Sequence, residues 1–324
     1  MDFDKLTKQK RYDVLTEIAD LYYNQGRTQA EIARHFDTNR FRIAKLLQDA
    51  RTEQVVEIRI NFTNERNRTM EQELTECYSL SKAIVVSTQY SSYADSCNQV
   101  GQVGAAYLNR LLTAHGVLGI SWGKTIQTVV SRLPQTVHTP VCVVQMTGHL
   151  SLPNPSAESR ELVRTAAFSH FGDVCYLNAP LYVNDPELKQ RLLAEPDLHR
   201  TFCKAREMSV FLTGIGSRSS LPLTNPALRP YLSQRDVEAA GDCVGSILGY
   251  VLDARGQVAD LDLNRKVMAL PLEELMAVPH RIGVAYGRHK VAAIRLAMQG
   301  GFVNELVTDT DTALMLLDNP SDRF

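Results

Sequence analysis

No run of apolar residues in this chain approaches the roughly 20 needed to cross a bilayer, and no basic-then-apolar segment opens it, so neither membrane partner nor export is expected. The expected compartment is the cytoplasm. Cysteines are few and scattered: Cys77, Cys97, Cys142, Cys175, Cys203 and Cys243 form no CxxC pair and join no Cys/His cluster. That pattern predicts reduced, mostly buried thiols, not a disulfide framework. His115, His138, His149 and His170 are equally dispersed, so no metal site is expected. Excess charge of one sign is also lacking, with 35 Lys and Arg against 36 Asp and Glu. A chain this close to neutrality is not built to coat nucleic acid. The GxxxxGK[ST] spacing of a nucleotide-hydrolysing loop is absent, and nothing implies a cofactor.

With 324 residues, 44% of them hydrophobic and 22% charged, the chain has material for about two domains with sizeable cores. Its most informative window is 27 to 51, which reads as two short helices joined by a tight turn. Thr28 and Glu31 have capping-box spacing ahead of Ala30, Ile32 and Ala33. Asp37 and Thr38 supply the turn, and Asn39 caps a second helix whose Ile43, Leu46, Leu47 and Ala50 make one apolar stripe. Upstream, Leu15, Ile18, Ala19 and Tyr22 supply the third helix that such a unit needs. Residues 39 to 51 carry four cations and one anion, so positive charge is focused on that second helix. A recognition helix reads base edges from its N-terminal turns, which nominates Asn39, Arg40 and Arg42. Lys45 and Arg51 would hold phosphates, and Thr28 and Gln29 at the preceding helix start join the DNA-binding candidates. Phe41 would either touch a thymine methyl or pack on the preceding helix. Alternation of Val56, Ile58 and Ile60 with polar residues predicts a short strand, a wing for this all-α domain of residues 1 to 61.

The polar run from Thr63 to Glu76, with Met70 and Leu74 four apart, predicts a linking helix within residues 62 to 79. From residue 80 to 324, short apolar runs alternate with helical patterns: 83 to 86, 117 to 120, 141 to 146, 210 to 215, 281 to 285 and 306 to 308. That rhythm predicts an open, mostly parallel, doubly wound α/β domain. Proline-containing stretches at 153 to 155 and 222 to 230 read as surface loops, the second as a lid or subdomain edge.

In such sheets ligands bind beyond the strands' carboxyl ends. The turn Gly119-Ile120-Ser121-Trp122-Gly123-Lys124-Thr125 combines glycines, hydroxyls and a helix start, the ingredients of a phosphate cradle. Thr213, Gly214 and Gly216 end another strand, and Lys290 opens a helix after Gly287. A cation there opposes the helix dipole unless an anion compensates it. Asp309 reads as an N-cap.

The segments Leu21-Tyr22-Tyr23 before Thr28-Gln29, Lys45-Leu46-Leu47, Gly119 to Gly123 and RIGVAYGRHKVAAIRLAMQGGFVNELVTDTD at 281 to 311 resemble the SorC-type sugar-operon regulators over nearly the whole chain. The resemblance implies an effector domain related in fold to sugar-phosphate isomerases and glucosamine-phosphate deaminases. It also implies a dimer or tetramer and control of operator binding by a phosphorylated sugar or polyol. Carried over, the phosphate loop is Gly119 to Thr125 and the family lysine is Lys290. Two positions depart: Ser246 stands where members often place a carboxylate, and Tyr286 replaces a glycine. The expectation is therefore a repressor relieved by its effector, binding double-stranded DNA. The rival is an isomerase or deaminase drawing on Asp242, Asp253 or His289, which no spacing joins into one constellation.

Overall fold

Leu15, Ile18, Ile32, Ile43 and Ala50 are sealed from solvent together, as the helical spacings predict. The computed structural model describes residues 7–53, 55–56, 66–88, 93–114, 116–135, 140–150 and 155–318. Two compact units divide at Thr63 and Asn64.

The first unit is helical among the described residues. Helix α1 (Lys8–Ala19) runs into a single π turn (Asp20–Asn24), followed by α2 (Gln29–His35) and α3 (Arg40–Thr52). The Thr28 hydroxyl accepts the Glu31 N–H, and the Glu31 carboxylate accepts the Thr28 N–H at 2.8 Å, a complete capping box. Asp37 takes a left-handed backbone (φ 49°) between α2 and α3. A short polar side chain tolerates that conformation better than most. Asn39 Oδ1 then accepts the Arg42 N–H at 2.9 Å and starts α3. Arg11 spans α1 and α3, donating to Asp49 and to Glu53 at 2.7 Å each. Ala30 is exposed, so Ile32 and Ala33 alone carry the α2 core. Beyond Val56, the expected wing strand lies outside the described residues.

The second unit begins with α4 (Arg68–Tyr78), the helix expected to link. It is part of the core instead: Leu74 is fully buried, and buried Glu71 accepts from Arg66 and from the backbone N–H of Val85. The two apolar positions thus face the protein's own sheet. Strands β1 (Lys82–Val86), β2 (Val117–Ile120), β3 (Cys142–Gln145), β4 (Val174–Cys175) and β5 (Val210–Gly214) enter a seven-stranded sheet with β9 (His280–Val284) and β10 (Glu305–Asp309). Between β5 and β9, β6 (Gly216–Ser217), β7 (Cys243–Ile247) and β8 (Tyr250–Asp253) form a small antiparallel sheet. The large sheet has the order β1-β10-β9-β5-β2-β3-β4, with every pairing parallel.

Both faces are covered, and period two survives inside the apolar runs. Ala83 and Val85 enter one core and Ile84 and Val86 the other; Phe211 faces the first and Leu212 the second. Helices α5 (Tyr93–Leu111), α6 (Lys124–Val130) and α7 (Ser159–Ser169) supply one layer. In chain order α8 (Pro186–Ala194), α9 (Pro196–Arg206), α10 (Gln234–Glu238), α11 (Asp262–Lys266), α12 (Leu272–Leu275), α13 (Val291–Gln299) and α14 (Thr310–Asp318) follow. Leu198 and Phe202 of α9, Ile294 of α13 and Leu316 of α14 join α4 against the other face.

Two expectations change, and a third falls mostly outside the described residues. Residues 222 to 230 are not an open loop but successive 3-10 turns with Pro222 and Leu228 buried. The expected 153 to 155 loop lies, except for Pro155, outside the described residues. Among the thiols only Cys243 is buried, because Cys77 and Cys203 sit on outward helix faces and the others are half-buried. No helix among the described residues is long and apolar enough to cross a membrane.

Candidate functional site

The chain order reverses once in the large sheet. From β2 it moves outward through β3 to β4, then returns to β5 beside β2 and proceeds the other way to β9 and β10. At such a switch point the loops leaving neighbouring strands diverge and open a crevice. Here the loops after β2 and β5 are held together: Ser121 N–H donates to Leu212 O at 3.1 Å, and Gly214 N–H donates to Ser121 Oγ at 3.3 Å.

A cavity of about 500 Å³ occupies that crevice. It is lined by Ser121, Trp122, Gly123, Lys124 and Thr125 after β2, by Gly214 and Gly216 after β5, by Ser246 of β7 and by Lys290 before α13. The sequence-nominated effector residues thus converge, apart from Gly119 and Thr213. Gly119 is a mid-sheet position whose missing side chain makes room for the sulfurs of Met208 and Met146, 2.6 and 2.8 Å from where a β-carbon would sit. The Thr213 side chain is fully buried and donates to Gly214 O. Neither lines the cavity, so both leave the site.

Gly123 has φ 115°, a backbone no other residue adopts without strain, and nothing lies within 4 Å of the β-carbon it lacks. Its own N–H is spent on Ala157 O at 2.9 Å, so the donors left beside the crevice are the first-turn amides of α6, which lack intrahelical partners. Lys290 closes the short 3-10 turn Arg288–Lys290 and sits at the α13 N-cap. Burial pushes its ammonium below the ordinary lysine range, against a smaller opposing influence of Cys97. Among the described residues no carboxylate pairs with it and none lines the cavity. A desolvated ammonium in a carboxylate-free crevice favours an anionic ligand.

Sequence reasoning missed several lining residues. Leu248 and Gly249 form the two-residue tip joining β7 and β8, with φ 53° and 85°. Glycine is the usual first choice at such a tip, so a Leu there gives no sequence signal. Ser217 ends β6, Ser219 and Ser220 come from the turn after it, and Cys97 comes from α5. Tyr286, in place of a glycine, and His289 also line the cavity. Of the acid/base candidates only His289 does so; Asp242 is exposed, and Asp253 caps the turn through the Arg255 and Gln257 N–H groups. No catalytic constellation forms among the three. Asp309 is an N-cap, accepting the Thr312 N–H at 2.8 Å.

A second cavity of about 420 Å³ adjoins the first, sharing Trp122, Gly123, Lys124, Ser220 and Ser246. The rest of its wall is mainly aliphatic, including Leu150, Leu181, Leu221 and Leu228.

In the first unit, α3 presents Asn39, Arg40, Phe41, Lys45 and Arg51 to solvent, with Arg42 partly buried. Phe41 is 72% exposed and lies under the Arg40 guanidinium at 4.8 Å, so it does not pack on α2. Thr28 is exposed and Gln29 partly so at the start of α2. The Asn39 carbonyl is engaged by its cap, which competes with bidentate contact to an adenine.

Residues 63–318 match the family described as "Putative sugar-binding domain". The chain is similar to the sorbitol operon regulator of Klebsiella pneumoniae, 29% identical over 315 residues that cover 94% of this chain and 97% of that protein. It is also 29% identical over 311 residues to the transcriptional regulator LsrR of Escherichia coli O9:H4, covering 94% of each. The crystal structure of full-length SorC from Klebsiella pneumoniae superposes with a TM-score of 0.69 at 27% identity, covering 95% of this chain and 99% of that one. A DeoR family transcriptional regulator from Listeria monocytogenes gives 0.67 at 26% identity, covering 76% and 97%.

Proposed function

Since the chain belongs to the sugar-binding-domain family of SorC-type regulators, we propose that it is a sequence-specific DNA-binding transcription regulator of a carbohydrate operon, controlled by a phosphorylated sugar or polyol. The relatives named above are transcription regulators, not enzymes.

The observation that carries the effector half of this reading is Lys290, desolvated and without a carboxylate partner in a crevice at the sheet's switch point. Lys290 and the first-turn amides of α6 take the phosphate, while the ring's C–H face lies against Trp122. Ser121, Thr125 and Ser246 offer hydroxyls. The fold resemblance to sugar-phosphate isomerases and deaminases belongs to the same reading.

For the DNA half, α2, the Asp37 turn and α3 form a helix-turn-helix with α3 in the major groove. Arg40 and Arg42 read base edges, Lys45 and Arg51 hold phosphates, and Asn39 contributes chiefly as a cap. One such helix covers a single half-site, so the regulator works in the cytoplasm as a homodimer or homotetramer on paired half-sites. The effector relieves repression, and it can shift operator affinity only by the difference in its own affinity for the two arrangements.

The test is a thermal-shift screen of sugar and polyol phosphates, because a ligand of the native state raises the melting temperature by mass action. A hit that also weakens operator binding supports the reading. Turnover of any of them without an effect on DNA binding contradicts it.

A further inference from the structure

Resting on the phosphate reading above, we propose that the effector is a phosphorylated glycoside whose apolar aglycone fills the adjoining cavity, rather than an unsubstituted polyol chain. That cavity holds about 420 Å³ and is walled by Leu150, Ala157, Leu181, Leu221, Pro222 and Leu228. Four of these, Ala157, Leu181, Leu221 and Leu228, are buried as deeply as ordinary core residues. The wall is therefore made of the protein's own interior.

Beyond the wall shared with the first cavity, Asn225 is the one polar side chain in the described lining. Ser220 Oγ accepts the Ser217 N–H at 3.0 Å and donates to Ser217 O at 3.1 Å. Asn225 Oδ1 accepts the Ala227 N–H at 3.0 Å, leaving only its amide N–H groups. The described lining contains no Asp or Glu, the acceptors best able to replace water around several hydroxyls. A polyol chain pushed into this space would leave hydroxyls dehydrated and unpaired, whereas an alkyl or aryl group gains by leaving water.

Geometry gives the ligand its order. Trp122, Gly123, Lys124, Ser220 and Ser246 line both cavities, so a molecule anchored by its phosphate near Lys290 reaches the aliphatic wall across the indole. The sugar ring spans the shared wall and the aglycone lies beyond it. This explains why two adjoining cavities of such different lining exist, which a compact sugar phosphate alone does not require.

The experiment compares glucose 6-phosphate, sorbitol 6-phosphate, phenyl β-D-glucoside 6-phosphate and unphosphorylated phenyl β-D-glucoside, using the full chain. Trp122 is the chain's only tryptophan and lines both cavities, so its fluorescence reports binding. The phenyl glucoside phosphate is expected to bind on the order of tenfold tighter than glucose 6-phosphate, and sorbitol 6-phosphate no tighter than glucose 6-phosphate. Leu150→Asn, at a partly exposed position, is expected to narrow that ratio, with its melting curve recorded as the folding control. Equal or weaker binding of the phenyl compound overturns the inference while leaving the phosphate reading intact. Equal binding of the two phenyl compounds overturns the phosphate reading while leaving the apolar compartment. Absence of binding by all four overturns both.

Discussion

The Ser246 hydroxyl fills the space that a β-carbon on Gly216 would need, and both residues line the cavity between β2 and β5. Because Ser246 can rotate about one bond, Gly216→Ala displaces the hydroxyl and does not break the strand pair. We expect the variant to fold with its melting temperature nearly unchanged and to bind sugar phosphates several-fold more weakly in a Trp122 fluorescence titration. Unchanged affinity would separate Ser246 from the ligand.

With an anion bound as proposed, Lys290 is expected to set the pH dependence of effector binding. Burial holds its free-state pKa below the ordinary lysine range, and a phosphate dianion at the ammonium raises it. A group whose pKa rises on binding contributes fully below its free-state pKa and loses that contribution as pH climbs through its bound-state pKa. Calorimetry between about pH 7 and 10, above the phosphate's own second ionisation, should show proton uptake and falling affinity as pH rises. Lys290→Ala should abolish both trends.

In the proposed DNA complex the α3 cations divide by role. Arg40→Ala is expected to cost about 1 to 3 kcal/mol on the specific site and to relax base preference at one position, if its contact is bidentate. Lys45→Ala should weaken all sequences alike and reduce the salt slope of binding by about 1. Gel-shift titrations at two salt concentrations distinguish these outcomes.

The Glu71 carboxylate clamps Arg66 and the β1 backbone at once, with Arg66 Nε at 2.6 Å and the Val85 N–H at 3.1 Å. Glu71→Ala leaves a largely buried guanidinium and a strand amide unpaired. The expected loss is roughly 3 kcal/mol in urea denaturation of the second unit.

Thiol chemistry checks the burial pattern. Burial, with the neighbouring Cys175, pushes the Cys142 thiol up to about 12, so little reactive thiolate forms near neutral pH. Alkylation at pH 8 should modify the exposed Cys77 and Cys203 well before Cys142, as peptide mass analysis would record.

How legible this molecule is from sequence depends on whether a residue's role is local. Thr28, Glu31, Asp37 and Asn39 act within one turn, and their spacing announces the bonds they make. Apolar runs likewise mark β1, β2, β3, β5, β9 and β10, because parallel strands buried on both faces become continuous hydrophobic stretches. The two-residue strands β4 and β6 are too short to show a period, and the β7–β8 hairpin turns on Leu248, where a glycine would have been visible. Leu150, Leu181, Leu221 and Leu228 each look like ordinary core residues; only the fold brings them to one cavity. Gly119 and Thr213 fail for a related reason, since proximity along the chain to a ligand turn does not reveal which way a strand residue faces. For α4, apolar positions four apart mark a buried side without saying what covers it.

The proposed regulation rests on one linkage, that an anion held at Lys290 alters DNA binding by the helical unit. Its most direct test is fluorescence anisotropy of a DNA site selected from a random library, titrated with protein at fixed salt, with and without a saturating sugar phosphate. For the wild-type chain we predict an affinity change of at least about fivefold, and for Lys290→Ala the same basal affinity with no response. Equal ligand responses in the two proteins, or DNA binding indifferent to every phosphate that stabilises the chain, would contradict it.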